Sequence, residues 1–426
     1  MDKSIFDEMI QTRRLLHTIP EEGWTEFHTT YIVAERLKAL GFTDIRLGKQ
    51  IIKPEAVLGR NPDVVRSAIK RAIKEGVPEE FIRSIDEYTG CVAVLDTGRE
   101  GPVTAFRFDM DCNPVEETDD PEHLPNKLGF RSKHPGLMHA CGHDSHTALG
   151  LAVARWLMQN KENLKGAFKL VFQPAEEGVR GANAIVESGI LDDVDTIVAS
   201  HCGGQCHLHE MGVVRAGMLA STKFDIRFKG TPSHAGSSPH MGHSALMAAS
   251  ATAMMLVGIP RHGDGASRVA VGRMVAGEGR NVTPVHAYIQ MEVRGETSAI
   301  NDYMCDKVEK IVRGNAEAYE VESSIEKVGA ATTLIECPEL INELKAIEET
   351  LDGVKKVVVL DVPTGSEDYT LMVKRVVEHG GQGAFFRWGC EHHGHHRGDF
   401  DIQDTESMPH AFEVFVRYAQ KANGLS

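Results

Sequence analysis

Short, almost uninterrupted apolar runs that end in metal-binding or proton-moving residues constrain this chain more than any other feature. CVAVLDTG (91–98), VTAFRFDMD (103–111), GAFKLVFQPAEE (166–177) and DTIVASHC (195–202) read as strands, with helical stretches at 144–161 and 180–189 between them. A strand that is apolar on both faces must be covered on both faces, and alternation with helices provides that cover. The pattern predicts an α/β domain built on a mainly parallel sheet. Sites in such sheets gather at the carboxyl ends of strands. Here those ends carry Asp109 and Asp111, Glu176 and Glu177, and His201.

Helices are expected at 5–17 and 25–40, where Leu15, Leu16, Val33, Leu37 and Leu40 recur at helical spacing and Gly41 supplies a stop. Residues 53–88 interrupt the pattern with a charged segment that reads as two short helices, a surface insertion. Near residue 220 the period changes. TKFDIRFKG, SRVAVGRMVAG, AYIQMEVRGE and EVESSIEKVG read as strands, with helices at 242–258 and 299–318. That β-α-β-β-α-β order matches the ferredoxin-like split motif. The expected organisation is therefore a catalytic domain in two parts, 1–219 and 330–426, with an inserted ferredoxin-like α+β domain at 220–329. In the last helix, PHAFEVFVRYAQKA, Pro409 suits a first turn.

Composition removes several classes of function. Acidic residues number 61 and basic residues 46, a net charge of −15, the wrong sign for a nucleic-acid footprint. No run reaches the ~20 apolar residues of a membrane span. The opening MDKSIFDEMIQTRR has no apolar leader core, so the expected setting is cytoplasmic and away from membranes. Eight cysteines without a CxxC pair read as reduced thiols. The 21 histidines are bunched at 134–146, 201–209, 234–243 and 392–396. Such bunches beside Cys, Asp and Glu suggest metal ligation.

Within MHACGHDSH (138–146), Cys141, His143 and His146 surround a glycine ahead of a helix. In PAEEG (174–178), successive carboxylates at a strand end point to opposite sides. One can ligate a metal while the other faces the water to be activated, taking its proton and passing it to a leaving amine. SHCGGQCHLH (200–209) adds His201, and CEHHGHHRGDFD (390–401) adds four histidines.

With FDMD, HACGHD, QPAEEG, GTPSHAG, GRNVTP, GSEDY and HHRGDFD in this order, the whole chain resembles the aminoacylases, carboxypeptidases and amidohydrolases that use paired metal ions. Its Cys-Gly-His form resembles the branch that cleaves N-acyl and N-aroyl amino acids. The 53–88 insertion and the GHHRGDFD ending are most similar to hydrolases of aminobenzoyl-glutamate, and indoleacetyl-aspartate conjugates are the alternative. The resemblance implies two divalent ions per subunit, Mn²⁺ or Zn²⁺, held by Cys141, His143, Glu177, His201 and His396. His396 is preferred to His395 because it stands four residues before Phe400. Glu176 corresponds to the general acid/base, and Asp111 to a carboxylate that orients a ligand. His234 corresponds to a lid histidine that reaches a neighbouring subunit's site, which implies a homodimer. Asn281 and Arg294 correspond to residues that hold the substrate's carboxylate, the asparagine from a loop neighbouring the arginine. A related second subunit is compatible with the resemblance, as is a silent partner role had a ligand been lost. Cys112-Asn113-Pro114 and Cys202-Gly203-Gly204 depart from the family's usual residues near the acyl pocket.

Overall fold

The structure is a computed structural model describing residues 2–362 and 365–425. Its strands, in chain order, are β1 (Asp44–Leu47), β2 (Cys91–Asp96), β3 (Val103–Asp109), β4 (Ala167–Gln173), β5 (Thr196–Cys202), β6 (Glu210–Val214), β7 (Ala220–Lys229), β8 (Ser267–Ala276), β9 (His286–Gly295), β10 (Glu322–Ala331), β11 (Lys356–Leu360) and β12 (Gln382–Trp388). The chain divides into two compact units. One runs to Gly217 and resumes with Leu334–Val362 and Asp368 onward; the other is Met218–Thr333 with Gly365, Ser366 and Glu367.

The first unit holds an eight-stranded sheet in the order β1-β2-β4-β3-β5-β12-β6-β11. Its centre, β4-β3-β5-β12, is parallel throughout. Towards the edges β2 runs antiparallel to β4, and β6 antiparallel to β12. The sheet is thus mixed around a parallel core. The short strands β1 and β6 lie outside the runs picked out by apolar pattern.

Alternation along β3 sends Phe106 and Phe108 to one face and Arg107 and Asp109 to the other. The phenylalanines meet Phe415 of the helix Asp404–Asn423, with ring centroids 5.1 and 5.2 Å apart. Truncating a fully buried ring such as Phe415 to alanine would cost roughly 3–5 kcal/mol. That helix begins at Asp404, so Pro409 lies inside it and not in its first turn. Asp404 and Glu406 occupy the first turn instead, where acids suit the positive end of the helix dipole. The predicted early helices are present as Lys3–His17 and Phe27–Leu40, the second closed by left-handed Gly41 at φ 97°. The 53–88 segment forms helices Pro62–Lys74 and Glu79–Ser84. Val65, Ala68, Ala72, Ile82 and Ile85 there pack with Phe27 in a small apolar cluster of their own.

The second unit is a four-stranded antiparallel sheet, β10-β7-β9-β8, with helices Ala245–Val257 and Ser298–Ala318 on one face. Its core joins Phe224, Ile226 and Ile289 to Met304, Val308 and Val312. Among the described residues no helix is long and apolar enough to cross a membrane.

Candidate metal centre

The four parallel strands β3, β4, β5 and β12 deliver their carboxyl ends side by side, and the candidate ligands stand there. His143 opens the helix His143–Asn160 directly after Gly142, whose φ is 85°. A Cβ on Gly142 would lie 2.4 Å from Cys202 Sγ, so only glycine lets this turn seat against β5. Cys141 Sγ is 3.4 Å from His201 Nε2. Potential ligand atoms of Cys141, His143 and His201 lie within 4.8 Å of one another, and so do those of Cys141, Glu177 and His396. His396 Nε2 is 3.2 Å from Glu177 Oε1. Two overlapping groups sharing Cys141 thus assemble all five expected ligands, and His143, Glu176 and Glu177 form a third.

Hydrogen bonds set which atoms remain free. His201 Nδ1 lies 2.8 Å from the Cys202 carbonyl, which fixes the proton there and leaves the Nε2 lone pair aimed at Cys141. Burial above all holds the His201 pKa well below its usual value, so the ring stays neutral. His146 behaves differently. Its Nε2 accepts the Cys202 N–H at 3.0 Å and its Nδ1 faces Asp109 at 2.6 Å, so both nitrogens are committed and it braces the site.

Asp111 organises the carboxylate pair. Its Oδ1 accepts the Glu176 N–H at 3.0 Å, its Oδ2 accepts the Glu177 N–H at 2.9 Å, and Oδ1 lies 3.3 Å from His143 Nδ1. Ala175, just before the pair, has φ 52°, and His396 has φ 61°. Left-handed backbone at non-glycine residues costs of order 1–3 kcal/mol and clusters at functional sites. Asp109 is held by Arg107 at 2.6 Å, and Arg107 Nε donates to Gln173 at 2.8 Å.

The donor set fits divalent ions. Burial, reinforced by Glu177, Cys202 and Asp109, pushes the Cys141 thiol well above its usual pKa, so thiolate formation calls for a cation. His143 Nε2 is buried with no hydrogen-bond partner. Burial would raise Glu177, but His396 and His143 outweigh it and hold the carboxylate at about 2, ionised as a ligand must be.

The pattern of the sequence did not reveal three features. His395, passed over there in favour of His396, is half-buried, with Nδ1 3.6 Å from Cys141 Sγ and Nε2 unpartnered. Arg13 on the first helix bonds Asp144 at 2.9 Å, Asp404 at 3.4 Å and also Asp401, tying the HACGHD helix to the segment that carries His396. His17 joins them, at 2.8 Å from Asp144 and 3.1 Å from Glu117. Only the helical spacing of Arg13 and His17 hinted that they face inward.

The lid candidates lie in the second unit. His234 Nδ1 accepts the Gly236 and Ser237 N–H groups, each at 3.1 Å, which leaves the proton on Nε2 as an exposed donor. Its loop pairs with the loop holding Asn281: His234 bridges Val282, and Ala235 N–H donates to the Asn281 carbonyl at 3.2 Å. Arg294 is elsewhere. It lies near the end of β9, whereas Asn281 sits in the loop before that strand begins. Arg294 Nε pairs with Glu292 at 2.8 Å.

Comparison with known proteins agrees with this geometry. The profile of Peptidase family M20/M25/M40 matches residues 105–421. The chain is 44% identical to a p-aminobenzoyl-glutamate hydrolase homolog of Haemophilus influenzae, over 97% of this chain and 98% of that protein. It is 41% identical to an indole-3-acetyl-aspartic acid hydrolase of Enterobacter agglomerans, over 95% and 93%. An aminobenzoyl-glutamate utilization protein from Klebsiella pneumoniae superposes with a TM-score of 0.83 at 36% identity, covering 99% of this chain and 96% of that one.

Proposed function

Since the chain belongs to peptidase family M20/M25/M40, we propose that it cleaves the amide bond of N-acyl or N-aroyl amino acids, foremost aminobenzoyl-glutamate to aminobenzoate and glutamate. One observation carries this reading: the convergence of Cys141, His143, Glu177, His201 and His396 beside Glu176, in a chain whose relatives are named for glutamate and aspartate conjugates.

Those five residues would hold two divalent ions. Thiolate and imidazole suit Zn²⁺, and the carboxylate also admits Mn²⁺. When bound, the ions supply Lewis acidity, which makes a water nucleophilic near neutral pH and polarises the carbonyl. Glu176 takes the proton of the attacking water and returns it to the leaving amine nitrogen. Asp111, bonded to both glutamate N–H groups, keeps Glu176 turned inward while Glu177 faces the ions. His234 offers Nε2–H to the developing oxyanion. It acts from the lid of a partner subunit, with Asn281 on the same paired loops. Arg294, near the end of β9, holds the substrate's carboxylate.

A homodimer is supported by the second unit. The helix Ala245–Val257 exposes Met247, Met254, Met255 and Val257, and the edge strand β8 exposes Met274 and Val275. Unpaired strand edges with apolar neighbours invite pairing with a second chain. A silent role in a heteromeric hydrolase, with a related second subunit supplying catalysis, would call for a lost ligand or acid/base, and this chain carries a residue for each of those proposed roles.

The test is elemental analysis of protein purified without added metal, combined with turnover of a panel of N-acyl glutamates, aspartates and leucines. About two Zn²⁺ or Mn²⁺ per chain and fastest cleavage of aminobenzoyl-glutamate are expected. Faster cleavage of indoleacetyl-aspartate would move the assignment to the aspartate conjugates, which the Enterobacter relative favours.

A further inference from the structure

Arg387 lies on β12, beside His201 of β5 in the parallel register and opposite Gly212 of β6. Its guanidinium makes no hydrogen bond or ion pair among the described residues; its recorded contact is with the Phe385 ring, 5.8 Å from the centroid. In a chain with 61 acidic residues against 46 basic ones, a half-buried arginine left without a carboxylate calls for an explanation. Its charge is felt at Cys141, His201 and His395, so it stands within electrostatic reach of the metal centre.

The adjoining backbone passes close to this group at two glycines. Gly203 and Gly204 follow β5 with φ of 63° and 74°. A Cβ on Gly204 would fall 2.6 Å from Arg387 Nη1 and 3.0 Å from Cζ, and one on Gly203 would fall 2.5 Å from His392 Nε2. Any side chain at either position would press on the guanidinium or on the imidazole beside it. The Gly-Gly pair thus coincides with an arginine that has no internal anion. A planar guanidinium matches a carboxylate bidentately, and such charge-assisted pairs are strong when partly shielded from water.

We infer that Arg387, beside the closely approaching Gly203 and Gly204, receives the side-chain carboxylate of a dicarboxylic amino acid in the substrate and so selects glutamate or aspartate conjugates over neutral ones. This inference rests on the proposed hydrolysis of N-acyl amino acids and assigns Arg387 a carboxylate distinct from the α-carboxylate given to Arg294. Because Arg387, Gly203 and Gly204 all belong to the catalytic unit, the selection travels with that unit.

The experiment compares aminobenzoyl-glutamate with its side-chain amide, aminobenzoyl-glutamine, on the metal-loaded wild type, Arg387→Met, Arg387→Lys and Gly204→Ala, with metal content measured for each. Charge-assisted hydrogen bonds set the scale. Arg387→Met should lose about ten- to a hundredfold more kcat/KM on the glutamate than on the glutamine substrate, and the loss should appear chiefly in KM. Arg387→Lys should recover part of the discrimination, and Gly204→Ala should erode it. Equal losses on both substrates, or a glutamate preference that survives Arg387→Met with metal retained, would overturn the inference while leaving the hydrolase reading intact. Failure of the wild type to cleave any N-acyl amino acid would overturn both.

Discussion

Cys141 Sγ faces His201 Nε2 across 3.4 Å, with the other nitrogen of the imidazole given to a backbone carbonyl. A thiol raised by burial and a neutral ring make a poor ion pair and a good pair of metal ligands. Replacing Cys141 or His396 with alanine should therefore lower bound metal and turnover together. Metal analysis beside a rate assay checks this, and full metal content with normal turnover in both variants would refute the assignment.

The adjacent glutamates should separate by role. Glu176→Gln keeps the size and the backbone bond to Asp111 but removes the base, so metal should stay while kcat falls by at least ~10²–10⁴-fold. Glu177→Gln removes a ligand and should weaken metal binding first. Titration with a chelator, run beside kinetics, distinguishes them, and the opposite pattern would reverse the order of the pair.

Catalysis should be shared between subunits. His234→Ala and Glu176→Gln should each be nearly inactive alone, yet a mixture allowed to exchange subunits should regain activity, because some sites then combine an intact His234 with an intact Glu176. No recovery despite demonstrated exchange would count against a site shared between subunits.

The buried His17 should give stability a pH signature. Burial opposes its charge, but the hydrogen bonds to Asp144 and Glu117 prevail and hold it at about 9, against 6.5 for the ordinary side chain. A raised folded-state pKa means the contribution is complete below pH ~6.5 and is lost as pH rises towards ~9, on the order of 3 kcal/mol in all. Denaturant midpoints of the wild type should fall across that window, and those of His17→Gln should fall less. Parallel curves would show that His17 is not charged in the fold.

How much could be read in advance follows from what sequence patterns report. Unbroken apolar runs located β2 to β5, and the change to alternating pattern located the four strands of the second unit, because periodicity records which faces are buried. It does not record neighbours. The short β6, placed antiparallel against β12, was therefore not anticipated. The same limit hid Arg13, whose partner Asp404 lies 391 residues along the chain. Motif order brought the five ligand candidates together, since each follows a strand or opens a helix. It carried no information on spacing for Asn281 and Arg294, which lie before the start of β9 and near its end. Arg387 was obscured by its setting: within QGAFFRW it reads as one polar interruption of a buried strand.

The two helices of the 53–88 insertion rest on Phe27, and the residue before it, Glu26, accepts the Ala175 N–H at 2.7 Å, one step from the paired glutamates. A segment that looks like an appendage is in this way part of the foundation of the catalytic turn. An engineer who shortened it for a leaner enzyme would strip the cover from Phe27 and loosen the ground beneath Glu176. A lineage that acquired it would afterwards find it hard to discard.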